Sequence, residues 1–224
     1  MGFTFNNPMS ALVSTMIMSK AREDTWANQL GAKTAGKTAA TQQAPAKTED
    51  GSTLFRFSGG YVKTKEIADQ LGSTPEQRQQ YRVLIETVLQ EFDKKASQAG
   101  KPHDLALALS YFLGENARIY HGQPEVPDER YLDLRDMIAS ALSGSTQLKN
   151  APDRQKQEMY EGLIAYTGMT QFGYEQSVKA GNPDYIKGYR QVAGQNLRVG
   201  TRLSPDEIYF TDKGLVVTNA ISAH

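Results

Sequence analysis

The residue types best suited to chemistry gather at the end of one apolar stretch. The run LALALSYFL is followed by Glu115, Asn116 and Arg118, and the segment closes with Tyr120 and His121. A carboxylate can act as a general acid or base, a guanidinium can hold an anion, and an imidazole can transfer protons near neutral pH. Because a buried charge is costly unless it is paired, these five residues form the candidate polar site.

Two interpretations of this cluster stay open. In a hydrolase-like enzyme, Glu115 would act as the acid or base, Arg118 would hold an anion and His121 would transfer protons. In a structural role, Glu115 and Arg118 form an ion pair one helical turn apart, and the cationic residues lie near the helix C-terminus, where the dipole favours them. Structural networks bury charges as readily as active sites do. We therefore predict a non-enzymatic protein and keep the enzyme as the alternative.

The other chemical motifs lack the context that they need. Residues 31–38, GAKTAGKT, match the phosphate-loop pattern G-x-x-x-x-G-K-[ST], but they follow polar residues rather than a buried strand. We therefore predict no cofactor. The chain has no cysteine, and its three histidines, His103, His121 and His224, are widely spaced, so we predict no metal site.

The balance of charge argues against nucleic acid as a partner, because 25 Lys and Arg residues face 25 Asp and Glu residues. Tyr185 and Tyr189 lie within a local positive cluster, but both also fit an apolar stripe that faces the core. Glu158 and Glu161, one helical turn apart among polar neighbours, are predicted to face solvent. The positive cluster consists of Lys179, Lys187, Arg190, Arg198 and Arg202.

The first 30 residues predict an amphipathic helix that serves as the candidate interaction segment. Its apolar side chains recur at helical spacing, at Met9, Leu12, Val13, Met16 and Ile17. Methionine is flexible and polarizable, which suits adaptable apolar contacts. We predict that this segment binds a protein partner, a second copy of the chain or a membrane surface, and packing on its own domain is the open alternative.

Composition divides the chain into three parts. Residues 31–53 contain no aromatic or branched aliphatic residue, which predicts a flexible linker. The predicted organisation is an amphipathic segment at 1–30, the linker at 31–53 and a helical domain at 54–224. No stretch reaches the roughly 18 apolar residues that span a bilayer, so we predict no transmembrane segment.

Hydrophobic periodicity and end signals predict the elements of the domain. A short helix is expected at 63–71, and longer ones from the Thr74 capping box to Gly100, at 105–120 and from an Asp128 cap to Leu142. Two more are expected, one that Asn150 and Pro152 start and that runs to Lys179, and one from Asn182 to Gly200. Glycines at 162, 168 and 173 predict close packing or a bend. A short strand is expected at 54–57 and a hairpin at 208–217, which packs on the helices or takes 54–57 as a third strand.

The predicted fold class is therefore mainly α. The expected architecture is a bundle of about five helices with a small C-terminal β-hairpin and a tethered N-terminal amphipathic helix. The helix at 105–120 is apolar on all sides in its first half, which predicts that it lies at the centre of the bundle.

A set of core and cap motifs carries a resemblance to a known family. The motifs are Tyr81-Arg82-x-Leu84, Asp104-Leu105-Ala106-x-Ala108-Leu109-x-Tyr111-Phe112-Leu113, Asn116-x-Arg118-x-Tyr120-His121, Leu203-x-Pro205 and Thr211-Asp212-x-Gly214-Leu215. Over residues 75–217 the chain resembles an uncharacterised bacterial domain-of-unknown-function family of exported, mostly helical proteins. The resemblance implies a periplasmic or secreted location and no particular activity. The N-terminus lacks the basic region of a signal peptide, so a cytoplasmic location stays open.

The predicted function is a non-enzymatic protein-interaction or scaffold module of the bacterial envelope or the secreted space. It would use the N-terminal segment and the surface of the helical domain. The alternatives are the hydrolase-like enzyme at Glu115, Arg118 and His121, and a small-ligand carrier. A carrier would need an apolar cavity among Tyr111, Phe112, Tyr166, Met169 and Phe172.

Overall fold

The computed structural model describes residues 51–218, so the predicted N-terminal helix and nearly all of the predicted linker lie outside the described residues. The described elements are α1 (Thr64–Leu71), α2 (Pro75–Gln98), α3 (Leu105–His121), α4 (Asp128–Leu142), α5 (Thr146–Lys149), α6 (Asp153–Lys179), α7 (Pro183–Thr201), a 3₁₀ turn (Pro205–Glu207), β1 (Ile208–Thr211) and β2 (Gly214–Val217). Within this part of the chain, no helix combines the length and apolar character needed to cross a membrane.

Five of the described helices have 15 or more residues and form the predicted bundle. Helix α3 is its centre, because α4, α6, α7 and β1 all pack against it. The Asp104 side chain caps α3 by accepting the backbone N–H of Ala106 (2.9 Å), and Gly122 ends it in the left-handed conformation. Fourteen of its 17 residues are buried, including most of its polar second half. The prediction of a mainly α bundle is confirmed.

Local sequence signals locate most helix ends. Thr74 forms the predicted capping box, and Asn182 caps α7. The prediction that Asp128 caps α4 is wrong, because Asp128 is the first helical residue and the preceding Pro127 has no side chain that could cap. Helix α7 also runs to Thr201, one residue beyond the glycine that was expected to end it.

The segment that precedes α1 is not the predicted strand. It makes an isolated bridge between Leu54 and Asp104, and side chains of α6 hold it in place. The Lys156 ammonium donates hydrogen bonds to the carbonyl oxygens of Ser52 (2.7 Å) and Leu54 (3.2 Å). Ser52 and Thr53 are buried, so they pack with the helices that follow.

Strands β1 and β2 form the predicted antiparallel hairpin, with Ile208 opposite Val217. Among residues 51–218, no third strand joins it. Two strands alone are marginal in water, and the hairpin is completed by packing on the helices. Phe210 is fully buried, and its ring centre lies 4.8 Å from that of Tyr131 on α4.

Helix α6 is continuous, and two of its three glycines allow close packing. A side chain at Gly168 would overlap Val88 of α2, and one at Gly173 would overlap Tyr189 of α7. At Gly162, a Cβ atom would meet nothing within 4 Å. Gly168 and Gly173 therefore mark two close contacts between helices, whereas the space beside Gly162 is open.

These contacts predict opposite results for two substitutions on α6. Gly168→Ala should lower the free energy of unfolding by about 1–3 kcal/mol, because the short, branched Val88 side chain must shift. Gly162→Ala is the matched control and should raise stability by up to about 1 kcal/mol, since alanine favours the helix and meets nothing. Urea midpoints test both. Equal stabilisation by the two substitutions would contradict the close contact.

Candidate functional site

A cleft of about 620 Å³ lies between α2, α3, α4 and α6, and it is the candidate site. Helix α6 contributes Gly168 and Phe172, and Phe172 is 47% exposed although its side chain is large and apolar. Helix α2 faces them with an apolar row. The walls of the cleft are therefore suited to apolar contacts and are accessible from solvent. The row on α2 consists of Leu84, Val88, Phe92 and Ala96.

The floor of the cleft contains a buried ion pair. Arg118 Nη2 donates to Oε2 of Glu115 at 2.7 Å, and Arg118 Nε lies 3.1 Å and 3.2 Å from Oε1 and Oε2. The Tyr131 hydroxyl on α4 donates to Oε1 of the same carboxylate. Arg118 also donates to the carbonyl oxygen of Gln123 (3.4 Å). Both carboxylate oxygens are thus engaged, and less than a tenth of either charged side chain is exposed.

Burial and the contact with Glu115 act on the pKa values of both Tyr131 and Arg118. Burial raises the pKa of Tyr131, and the charge of Glu115 and the hydrogen bond to it raise this pKa further. Burial by itself lowers the pKa of Arg118, but the hydrogen bond and the charge of Glu115 outweigh that effect, and the pKa is raised. The tyrosine therefore stays a proton donor in its hydrogen bond, and the guanidinium stays charged.

The rim of the cleft is acidic. Among the described residues that line it, four carboxylates besides Glu115 face one ammonium group, that of Lys95. Because Arg118 neutralises Glu115, the rim keeps an excess of three negative charges. In the described part of the chain, no three His, Asp or Glu side chains form a group that could hold a metal ion. The four rim carboxylates are Glu91, Glu125, Asp128 and Glu175.

Asn116 lies on another side of α3 and does not reach the cleft. Its Nδ2 donates to the Phe112 carbonyl oxygen (2.8 Å) and to Thr167 Oγ1 on α6 (3.2 Å). Its Oδ1 accepts from Asn196 Nδ2 on α7 at 2.9 Å. All three partners are buried, so Asn116 joins α3, α6 and α7 in the core.

Tyr120 and His121 attach the C-terminal hairpin. His121 Nε2 lies 2.9 Å from the Ile208 carbonyl oxygen and 3.2 Å from that of Pro205. Since both neighbours can only accept, Nε2 must hold a proton. The imidazole ring stacks on Tyr209, with ring centres 4.1 Å apart. The Tyr120 hydroxyl donates to Asp206 Oδ1 at 2.7 Å.

The five residues of the predicted polar site therefore occupy three separate places. Glu115 lines the cleft and Arg118 is paired with it, whereas Asn116 lies in the core, and Tyr120 and His121 contact the hairpin segment. One helix places them on different faces, because residues one or two positions apart point in different directions. The acid, the anion holder and the proton shuttle of the enzyme alternative do not converge on one open site.

Three buried charges were missed or misjudged from the sequence: Lys156, which holds the segment before α1, and Glu161 and Arg135. Glu161 is fully buried, so its predicted solvent-facing position is wrong. Its Oε2 accepts the backbone N–H groups of Val62 (2.8 Å) and Lys63 (2.7 Å), just before α1. Arg135 on α4 donates from Nε to Asp104 Oδ2 at 2.6 Å inside the bundle. Glu161 and Arg135 adjoin apolar stripes of their helices, which is the signal that could have located them.

The predicted carrier cavity and the predicted core position of Tyr185 also need correction. Tyr111 and Phe172 line the cleft, but Phe112, Tyr166 and Met169 do not, and Phe112 is fully buried in the core. Tyr185 is 65% exposed. It lies in the first turn of α7, where the helix has not yet reached the tightly packed part of the bundle.

The buried pair predicts a large cost for each single replacement. Glu115→Ala or Arg118→Ala should each lower the free energy of unfolding by about 3–5 kcal/mol, because the remaining charge stays buried without its partner. The double replacement should cost less than the sum of the two. Urea unfolding measures all three variants.

The exposed pair Arg154 and Glu158 on α6 provides the control. Removing either partner there should change stability by less than about 1 kcal/mol, since water solvates the other charge. Near-zero shifts for both Glu115 and Arg118 would contradict the assignment of a buried pair.

Glu161 predicts a dependence of stability on pH. Burial raises its pKa, although hydrogen bonds from Gln157 and from the backbone of Lys63 and Val62 oppose the shift. The folded state therefore holds this proton to higher pH than the unfolded state does. This tighter proton binding contributes to the free energy of unfolding. The contribution is fully present below the usual glutamate pKa and is lost as pH rises through the folded-state pKa.

Glu161→Gln should remove this contribution, because an amide does not ionise. Urea midpoints between about pH 4 and pH 8 should fall less with rising pH in the variant than in the wild type. Glu158→Gln on the exposed face of α6 is the control and should leave the profile unchanged. Identical profiles for wild type and Glu161→Gln would contradict the raised pKa.

Comparison with known proteins agrees with the resemblance at the core and cap motifs. No curated protein and no solved structure matches the chain. One family model, described as a family of unknown function (DUF6683), matches residues 12–218. The match covers every element from α1 to β2 and most of the sequence that precedes them. The chain belongs to this family of unknown function.

Proposed function

We propose that the protein is a non-enzymatic interaction module, and that its cleft binds an apolar polypeptide segment that carries positive charge. The observation that carries this proposal is the combination of apolar walls with an acidic rim in one cleft. An amphipathic helix matches such a cleft, because it presents apolar and charged side chains on defined faces.

The walls supply the apolar part of the interaction. Phe172 remains 47% exposed in the described chain, and Val88 and Phe92 face the same space from α2. Covering such side chains removes apolar surface from water, which favours association. A cleft of about 620 Å³ accommodates a few large side chains of a partner.

The rim supplies selection by charge. Glu91, Glu125, Asp128 and Glu175 outnumber Lys95, so the field at the entrance attracts cations and repels anions. Such complementarity raises the association rate and disfavours wrong partners more than it adds affinity. A basic segment is therefore the partner of matching chemistry.

The enzyme alternative receives less support from the same geometry. Glu115 is the acid or base candidate on the floor, but Arg118 and Tyr131 already occupy both of its oxygens. His121 is bonded to the hairpin segment rather than to the cleft. A location in the bacterial envelope or the secreted space stays a prediction from the family resemblance.

Two designed helical peptides with the same leucine stripe test the proposal, one with a lysine-rich polar face and the other with a glutamate-rich face. The lysine-rich peptide should bind the full chain at least about tenfold more tightly at low salt, measured by fluorescence anisotropy. Phe172→Ala should weaken that binding at least about fivefold.

Val83→Ala is the matched control, because Val83 is 55% exposed on α2 and does not line the cleft. This replacement should leave the affinity unchanged. Equal affinity for the two peptides, equal effects of Phe172→Ala and Val83→Ala, or no binding at millimolar peptide would each overturn the proposal.

A further inference from the structure

We infer that the cleft has an occupant within its own chain, residues 9–22, which dock in the same molecule and compete with an outside partner. This inference rests on the proposed function of the cleft and names the segment that uses it first. Residues 9–22 lie outside the described residues.

The charge of the segment is complementary to the rim. Residues 1–22 contain Lys20 and Arg22 and no aspartate or glutamate, and the first carboxylates, Glu23 and Asp24, follow the docking segment; the rim has an excess of three negative charges. With 100° per residue, Lys20 falls on the same helical face as Met9, eleven positions earlier. An apolar stripe that ends in a cation on one face matches apolar walls beneath an acidic rim.

The dimensions of the segment also fit. Residues 9–22 are the part of the predicted amphipathic helix that carries its apolar stripe and two cations, and they would be about 20 Å long at 1.5 Å per residue. The wall of the cleft on α2, from Leu84 to Ala96, extends over about 18 Å by the same rise. The two methionines of the stripe, Met9 and Met16, adapt to irregular walls such as those formed by Val88 and Phe172.

The connecting chain is long enough for docking within one molecule. Ser52 is fixed to α6 at Lys156, and Phe172 lies 16 residues farther along the same helix, a distance of about 24 Å. Residues 23–50 can span up to about 90 Å. A tether that exceeds the distance by this margin gives the segment an effective concentration near the millimolar range.

Docking in the same molecule makes the segment a built-in competitor. An outside basic helix must displace residues 9–22 before it reaches Phe172, so its apparent affinity is its intrinsic affinity multiplied by the fraction of molecules in which the segment is undocked. The partner would then bind only when its own contacts outweigh those of the tethered segment. This arrangement regulates the cleft without changing the fold of the bundle.

Cross-linking tests the docked position directly, because the chain has no cysteine of its own. We would place one cysteine in the segment, Ser10→Cys, and a second in the cleft, Thr87→Cys, in the full chain. A short bismaleimide should link this pair within one molecule at least about fivefold faster than a control pair. The control combines Ser10→Cys with Gln195→Cys, which lies on the exposed face of α7 outside the cleft.

Competition supplies the second test. Leu12→Asp with Ile17→Asp should release the segment, and the lysine-rich peptide should then bind the full chain at least about tenfold more tightly. Ala11→Asp with Thr15→Asp adds the same charge on the opposite face of the predicted helix. This control should leave the peptide affinity at the wild-type value.

The outcomes separate this inference from the proposed function. Self-docking is overturned if both cysteine pairs cross-link equally or if both double variants bind the peptide with equal affinity. In that case the proposed function still stands if binding of the peptide depends on Phe172. Cross-linking that yields dimers rather than linked monomers also overturns self-docking, because the occupant is then a second copy of the chain. Preferential cross-linking within one molecule and the tenfold shift together support it.

Discussion

Helix α3 is enclosed by α4, α6, α7 and β1, so each polar group on it must find a partner inside the protein. A buried polar group without a partner costs free energy, and a buried charge without one costs more. Glu115 and Arg118 pair within α3. Other polar groups on α3 or at its N-cap take partners from neighbouring elements, which fixes how those neighbours pack. Asp104 pairs with Arg135 of α4, Asn116 with Asn196 of α7, and His121 with the Ile208 carbonyl oxygen of β1.

The same constraint explains why the net charge of the cleft lies at its rim, whereas the ion pair at its floor is neutral overall. Glu115 is nearest to the interior, and a free carboxylate there would be too costly, so Arg118 and Tyr131 satisfy it within the protein. Glu91 is exposed and needs no such partner, and the half-buried Glu175 accepts a hydrogen bond from Gln171. Charge that is not used for packing thus remains at the entrance, where the proposed basic partner would meet it.

Sequence reasoning succeeded where the signal is local and failed where the partner is distant. The capping box at Thr74, the Asn182 cap and the long apolar stripes depend on residues a few positions apart, and they located the five long helices. The side chain of Glu161 bonds 98 and 99 residues away, at Lys63 and Val62. Its polar sequence neighbours therefore indicated solvent, although the position is buried.

The candidate site was predictable only in part for the same reason. The pairing of Glu115 with Arg118 follows from their separation of one turn, but the third partner, Tyr131, comes from another helix. The cleft itself is formed by four helices, and one of its walls depends on Gly168, which allows Val88 of α2 to approach α6.

The bonds of Lys156, Gln157 and Glu161 to residues 52–63 fix where the N-terminal chain leaves the bundle. That exit lies on α6, which also forms a wall of the cleft. The number of residues between the exit and an N-terminal segment therefore limits how far that segment can reach from α6.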